Sequence, residues 1–122
     1  MENNIAFQDA TQHSWLKVEP GVERMIMGYN NDLMMVKVKF EKDAVGALHF
    51  HPHLQSTYIA KGRFDVTIDG KTCLLREGDS FFVESALLHG VVCKEEGLLI
   101  DTFSPCRKDF LSNIPPHDCC EA

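Results

Sequence analysis

The chain has 122 residues, of which 44% are apolar and 25% charged, the size and make-up of one globular domain built around a single core. Its 12 Lys and Arg against 18 Asp and Glu give a formal charge of -6, and the basic residues are scattered, which argues against the cationic footprint that nucleic acid requires. No apolar run approaches the roughly 20 residues needed to span a bilayer, so neither nucleic acid nor membrane is an expected partner.

At the N-terminus, Met1 to Phe7 has no apolar h-region, and no Lys or Arg occurs before Lys17, so a cleaved signal peptide is not supported. The expected setting is cytoplasmic and reducing. Five cysteines, at 73, 93, 106, 119 and 120, are odd in number, irregularly spaced and free of any C-x-x-C. They predict neither a disulfide framework nor a cysteine zinc site and read as small packing residues.

From Val22 to Phe103 the apolar pattern has period two, with turn signals about every ten residues, as in an all-β sandwich or barrel. The first turn is Asn30-Asn31-Asp32. Val36, Val38 and Phe40 then alternate with Lys37, Lys39 and Glu41, a strand with one buried face. Another turn is expected at Lys61-Gly62. Phe64, Val66 and Ile68 repeat the alternation, and Asp69-Gly70 supplies the positive-φ pair of a tight hairpin. Lys71 to Arg76 returns, placing Phe64 and Leu75 on paired antiparallel strands, and Glu77-Gly78-Asp79 turns again. A last internal turn is expected at Glu95-Glu96-Gly97. Pro115-Pro116 ends the ordered part, which leaves residues 1–114 as one domain and 115–122 as a tail carrying Cys119-Cys120.

The informative stretch is His49-Phe50-His51-Pro52-His53-Leu54-Gln55. Side chains at i and i+2 of a strand share a face, so His49 and His51 are expected to aim two imidazoles at one point inside a barrel. Gln55 has the same parity, Pro52 predicts a bend or an edge, and His53 is expected to point elsewhere. About 35 residues on, His89 brings a third imidazole on another strand. Three imidazoles and an amide oxygen suit one divalent transition ion, Zn, Ni, Mn, Fe or Co. Taken alone, an H-x-H pair is more often two ordinary surface histidines.

The ordered series Gly46, His49-x-His51, Gln55, Gly62, Gly78-Asp79 and His89 resembles the two signature motifs of the cupin superfamily. The resemblance implies a cupin double-stranded β-helix, a jelly-roll barrel. Most metal-binding cupins carry Glu where this chain has Gln55, and usually Pro near Glu84-Ser85. With a neutral amide as the fourth donor a 2+ ion keeps its full formal charge and is the stronger Lewis acid. Small cupins are often dimers, and Trp15, Leu16 and Val18 are apolar residues that a minimal barrel would not cover, so a homodimer is expected.

Near the C-terminus Asp101 and Phe103 share one face of an apolar strand, where an unpaired buried carboxylate is costly. An outward Asp101, or one paired with Arg107, is the plain structural alternative. The run Asp101-x-Phe103-Ser104-Pro105-x-Arg107-x-Asp109-Phe110, together with the histidine stretch, resembles the small cupins of the pectin-degradation protein family, a group in which Gln is the fourth ligand. Those proteins help convert unsaturated uronate monosaccharides, released by pectin and alginate lyases, into linear keto acids. The resemblance implies metal ligands His49, His51, Gln55 and His89, catalytic Asp101 and Arg107, and a sugar-acid pocket lined by Phe103 and Arg107. Asp101 is the candidate acid/base, and Arg107 the bidentate clamp for the substrate carboxylate. The expected activity is a metal-dependent isomerase that opens the ring of 4,5-unsaturated monouronates and tautomerises the product. The rivals are a non-enzymatic sugar- or small-acid-binding cupin, which lacks any helix-turn-helix to make it a transcription factor, and a metal-dependent oxygenase, which leaves Asp101 and Arg107 without a role.

Overall fold

The period-two pattern is realised as antiparallel strands throughout the computed structural model, which describes residues 6–113. In chain order these are β1 (Leu16–Glu19), β2 (Val22–Tyr29), β3 (Met34–Phe40), β4 (Val45–His49), β5 (Leu54–Ile68), β6 (Lys71–Arg76), β7 (Ser80–Val83) and β8 (His89–Ser104). Short 3-10 turns cover Ala10–Gln12 and Lys108–Asn113. The chain belongs to the all-β class, and no described helix is long and apolar enough to cross a membrane.

The strands pair in the order β1-β2-β3-β8-β5-β6, with β4 added to β8 and β7 to β5. β5 and β8 lie side by side almost end to end, from Leu54↔Ser104 to Ile68↔His89. The first half of β5 joins β7 and the second half of β8 joins β3, whereas the second half of β5 joins β6 and the first half of β8 joins β4. Each long strand therefore belongs to both layers of the roll, which is how a jelly roll closes with few free edges.

The turns expected at Lys61-Gly62 and Glu95-Glu96-Gly97 are not chain reversals. They are bulges inside β5 and β8, where the register slips between Lys61 and Phe64. Gly62 has φ +91, and a Cβ there would come within 2.5 Å of the Glu95 carbonyl oxygen. A Cβ on Gly97 would lie 2.3 Å from the Lys61 carbonyl oxygen and 2.8 Å from the Phe64 ring. The two glycines let the paired strands bend together, so the sequence signal was a sharp change of direction without a turn.

The other local signals are realised. Asp69 and Gly70 have φ of 51 and 83, joining β5 to β6 with Phe64 opposite Leu75. The Asn30 side chain accepts from the backbone N–H groups of Asp32 and Leu33 at 2.8 and 3.1 Å, an Asx turn between β2 and β3. Phe40, Ile59, Phe64, Val83, Cys93 and Leu99 fill the main core, with the Phe40 and Phe64 rings edge to face at 5.3 Å. A second cluster gathers Tyr29, Met34, Val36, Phe103 and Cys106.

The N-terminal segment is less bare than the sequence suggested. Trp15, Leu16 and Val18 are half-buried, with Lys39 Nζ 4.1 Å above the Trp15 ring and Val18 packed on the core. Cys93 is buried and Cys73 exposed, both as free thiols. The expected tail at 115–122, with Cys119 and Cys120, lies outside the described residues.

Candidate metal centre and cavity

Along β5 the inward positions are Gln55, Thr57 and Ile59, and along the facing stretch of β8 they are Phe103, Asp101 and Leu99. Ile59 and Leu99 belong to the core, so one continuous inner face passes from packing residues to polar ones toward the start of β5. The buried polar groups His51, Gln55, Thr57, His89, Asp101 and Arg107 gather there.

His49 is the last residue of β4 and stands opposite His89, the first residue of β8. His51 is not on a strand. It sits in the connection 50–53, where Pro52 has no N–H to extend a ladder. The expectation that strand parity aligns His49 and His51 is thus corrected, because the turn after β4 swings His51 back toward its neighbours. The ring centroids are 5.5 Å apart for His49 and His51, 4.4 Å for His49 and His89, and 4.7 Å for His51 and His89. One ring nitrogen from each can be chosen so that all three lie within 4.8 Å of one another. His49 is the exposed member, whereas His51 and His89 are 6% and 3% exposed.

The Nδ1 atoms face backbone carbonyls, that of His49 at 2.8 Å from Ala47, His51 at 3.1 Å from His53 and His89 at 2.9 Å from Leu87. A carbonyl only accepts, so each Nδ1 carries the proton and each Nε2 presents a lone pair. Nε2 of His89 is buried with no hydrogen-bond partner. Burial above all pushes the His89 pKa down to about 4, against the Leu87 hydrogen bond and helped by the charges of His49, His51 and Arg107. Burial, followed by the charge of Arg107, also lowers His51. Neutral imidazoles oriented by carbonyls on the far nitrogen are the state in which histidine binds a metal.

Gln55 lies beside this trio with its Oε1 3.1 Å from His51 Nε2. Its amide Nε2 donates to Thr57 Oγ1 at 2.9 Å and to Asp101 Oδ1 at 3.5 Å, and Thr57 Oγ1 donates to Asp101 Oδ1 at 2.6 Å. The donor set, three imidazole nitrogens with an amide oxygen beside them, fits a divalent transition ion. His53 is not a member of the converging trio; its ring meets that of His51 at 5.5 Å and its buried Nδ1 has no hydrogen-bond partner.

Asp101 is buried at 8% exposure, which excludes the outward orientation. Desolvation raises its pKa to about 6, against the Thr57 hydrogen bond and the charge of Arg107. Arg107 does not pair with it. Its Nε and Nη2 bind Asp109 Oδ1 and Oδ2 at 3.0 and 2.8 Å, and its guanidinium lies 5.0 Å from the Phe103 ring and 4.1 Å from the Phe110 ring. Phe103 is edge-on to both Phe110 and His51, at 5.5 and 5.8 Å.

A cavity of about 320 Å³ is bounded by His49, Gln55, His89, Asp101, Phe103 and Arg107. That is near the lower end of the roughly 300–1,000 Å³ typical of small-molecule sites. Three further residues escaped the sequence reading. Thr57 has the parity of Gln55, a usable signal. Phe110, on the wall, lies in the 3-10 turn after β8. Arg24 interrupts the inward series Val22, Arg24, Ile26 on β2, and a lone charge at an inward position was the available clue. Burial and the charge of Arg107 lower the Arg24 pKa, against the field of Asp109.

A closed β-roll with three convergent imidazoles at one end of a small cavity is the architecture of a metal-capable β-barrel protein. The family model described as Cupin domain matches residues 36–101. Pectin degradation protein KdgF of Dickeya dadantii is 46% identical over 99 residues, covering 80% of this chain and 90% of that protein. The solved structure of KdgF from Halomonas sp. superposes with a TM-score of 0.83 at 41% identity, over 87% of this chain and 98% of that one. An RmlC-like cupin from Shewanella frigidimarina gives a TM-score of 0.84 at 43% identity, over 87% and 96%. This chain belongs to the cupin family, in the branch that holds the KdgF pectin degradation proteins.

Proposed function

We propose that this cupin is an isomerase of 4,5-unsaturated monouronates, small sugar acids of the kind lyases release from pectin or alginate, acting in the cytoplasm as a homodimer. The observation that carries the reading is the convergence of three imidazole lone pairs at the same cavity that Asp101 lines. The kinship with KdgF proteins supports the substrate class.

In this reading His49, His51, His89 and Gln55 hold one divalent ion. When bound, that ion supplies Lewis-acid stabilisation to negative charge developing on a substrate oxygen. The reaction needs no oxidant. The C1–O5 bond of the cyclic hemiacetal breaks, the anomeric hydroxyl loses its proton to leave an aldehyde, and the enolate at C5 takes a proton at C4 to become a ketone. The net change is one proton moved from oxygen to carbon. Asp101 is the group that moves it, since a carboxyl with a pKa of about 6 accepts and returns a proton near neutral pH. Thr57 occupies Oδ1 by hydrogen bonding and leaves Oδ2 to the substrate. Phe103 gives the sugar an apolar wall, and Arg107, held by Asp109, adds positive potential.

The test is the conjugated enol-carboxylate absorbance of fresh lyase-derived monouronates. Purified protein loaded with Zn, Ni, Mn, Fe or Co is expected to abolish it faster than spontaneous opening, and no excess rate with any of the five overturns the reading. Light scattering at low micromolar concentration is expected to give twice the 13.8 kDa chain mass.

A further inference from the structure

We propose that Arg24 is the anion-recognition residue of this cavity, receiving the carboxylate of a sugar acid, in place of the Arg107 that the family resemblance suggests. The inference rests on the uronate reading above and adds the residue that would select the acid over the neutral sugar.

Arg24 sits on the wall of the same cavity as His49, Gln55 and Asp101. Its Nε is buried and has no hydrogen-bond partner. Among the described residues no carboxylate stands within ion-pair distance of it, although Lys39, Arg63 and Arg107 each have one. A desolvated guanidinium donor without an acceptor is unfavourable, and an entering carboxylate relieves that. The contrast with Arg107 is geometric. The Nε and Nη2 of Arg107 already close a two-point pair with Asp109 at 3.0 and 2.8 Å, so the fork that would grip a second carboxylate is taken.

The Arg24 guanidinium is also held in place. Its Cζ lies 3.8 Å from the centre of the Phe110 ring, a cation–π contact that fixes the plane of the fork before a ligand arrives. Phe110 meets Phe103 at 5.5 Å, and Phe103 meets His51 at 5.8 Å. Arg24 therefore stands at one end of a series of rings with the imidazole cluster at the other. A sugar acid with its carboxylate on Arg24 keeps that group away from the carboxyl of Asp101 and turns its remaining oxygens toward the histidines.

The test uses metal-loaded protein and two unreactive probes, galacturonate and galactose, which differ in the carboxylate. Calorimetry is expected to show the unmodified chain preferring galacturonate at least about tenfold, and Arg24→Met losing that preference while keeping its metal content. Arg24→Lys retains charge without the fork and should fall between them; if Arg24→Met does not fold, Arg24→Lys decides, an unchanged preference overturning the proposal. With lyase-derived monouronates, Arg24→Met should raise KM at least about tenfold and leave kcat within about threefold. An unaltered preference in Arg24→Met, its loss in Arg107→Met alone, or no preference in the unmodified chain overturns the assignment. If the unmodified chain shows Arg24-dependent preference but no turnover, the isomerase reading falls and the anion site stands. If turnover is present and Arg24→Met leaves KM unchanged, the isomerase reading stands and the anion site falls.

Discussion

Oε1 of Gln55 and Nε2 of His51 lie 3.1 Å apart, and both are lone-pair atoms. The His51 proton is committed to the His53 carbonyl through Nδ1, and the Gln55 amide nitrogen is committed to Thr57. Two acceptors at this distance repel unless a cation or a second imidazole proton is shared between them. Burial and the charge of Arg107 disfavour protonating His51, which leaves a metal ion as the fitting partner.

Metal content of single variants checks this directly. His51→Ala should lose most of the ion, because it removes one of three convergent nitrogens and leaves Gln55 facing nothing. His53→Ala should keep it, since His53 stands outside the trio. Equal metal content by elemental analysis in the two variants would remove His51 from the ligand set.

Gln55→Glu tests why the fourth donor is an amide. A carboxylate there would still face His51, but it would lose the donor to Thr57 and set a like charge beside Asp101, about where Nε2 now lies at 3.5 Å. The ion should be retained, while turnover of unsaturated monouronates falls at least about tenfold as Asp101 is pushed toward its protonated form. Turnover equal to that of the unmodified chain would show that the neutral amide has no catalytic purpose.

Asp101→Asn keeps shape and the acceptor for Thr57 but cannot carry a proton between substrate atoms. Its turnover should drop at least about a hundredfold, with metal content and galacturonate affinity nearly unchanged. A variant as fast as the unmodified chain, after subtracting spontaneous ring opening, would make Asp101 a structural residue.

In the chelator-stripped protein the buried groups shape stability in opposite directions. Asp101, raised to about 6, favours the fold fully below its ordinary pKa of 3.8, and that contribution is lost as pH rises through about 6. His89, lowered to about 4, contributes above its ordinary 6.5, and its contribution is lost as pH falls through about 4. Asp101→Asn removes only the first. Urea unfolding should therefore find the variant gaining on the unmodified chain as pH rises from 4 to 7, by up to about 3 kcal/mol. A difference that stays constant with pH would refute the buried, neutral-leaning Asp101.

The strand class, the hairpin at Asp69-Gly70, the one-sided burial of β3 and the residue types of the centre were all legible in the sequence. Each follows from local rules: side-chain alternation, positive-φ turn chemistry and the donor properties of imidazole and amide. The features that needed the folded chain lie between distant segments. Gly62 and Gly97 read as turns because a glycine among charged residues looks the same in a reversal and in a bulge; the difference is the carbonyl of the opposite strand. His51 joins His49 through the turn at Pro52, not through strand parity. Arg107 reads as a free clamp although Asp109, two residues on, closes on its fork in the turn after β8, whereas Arg24, about 80 residues away, has no carboxylate within ion-pair distance among the described residues. Pairing of charges depends on separations of a few ångströms between groups on different elements, and no periodicity in one segment encodes that distance.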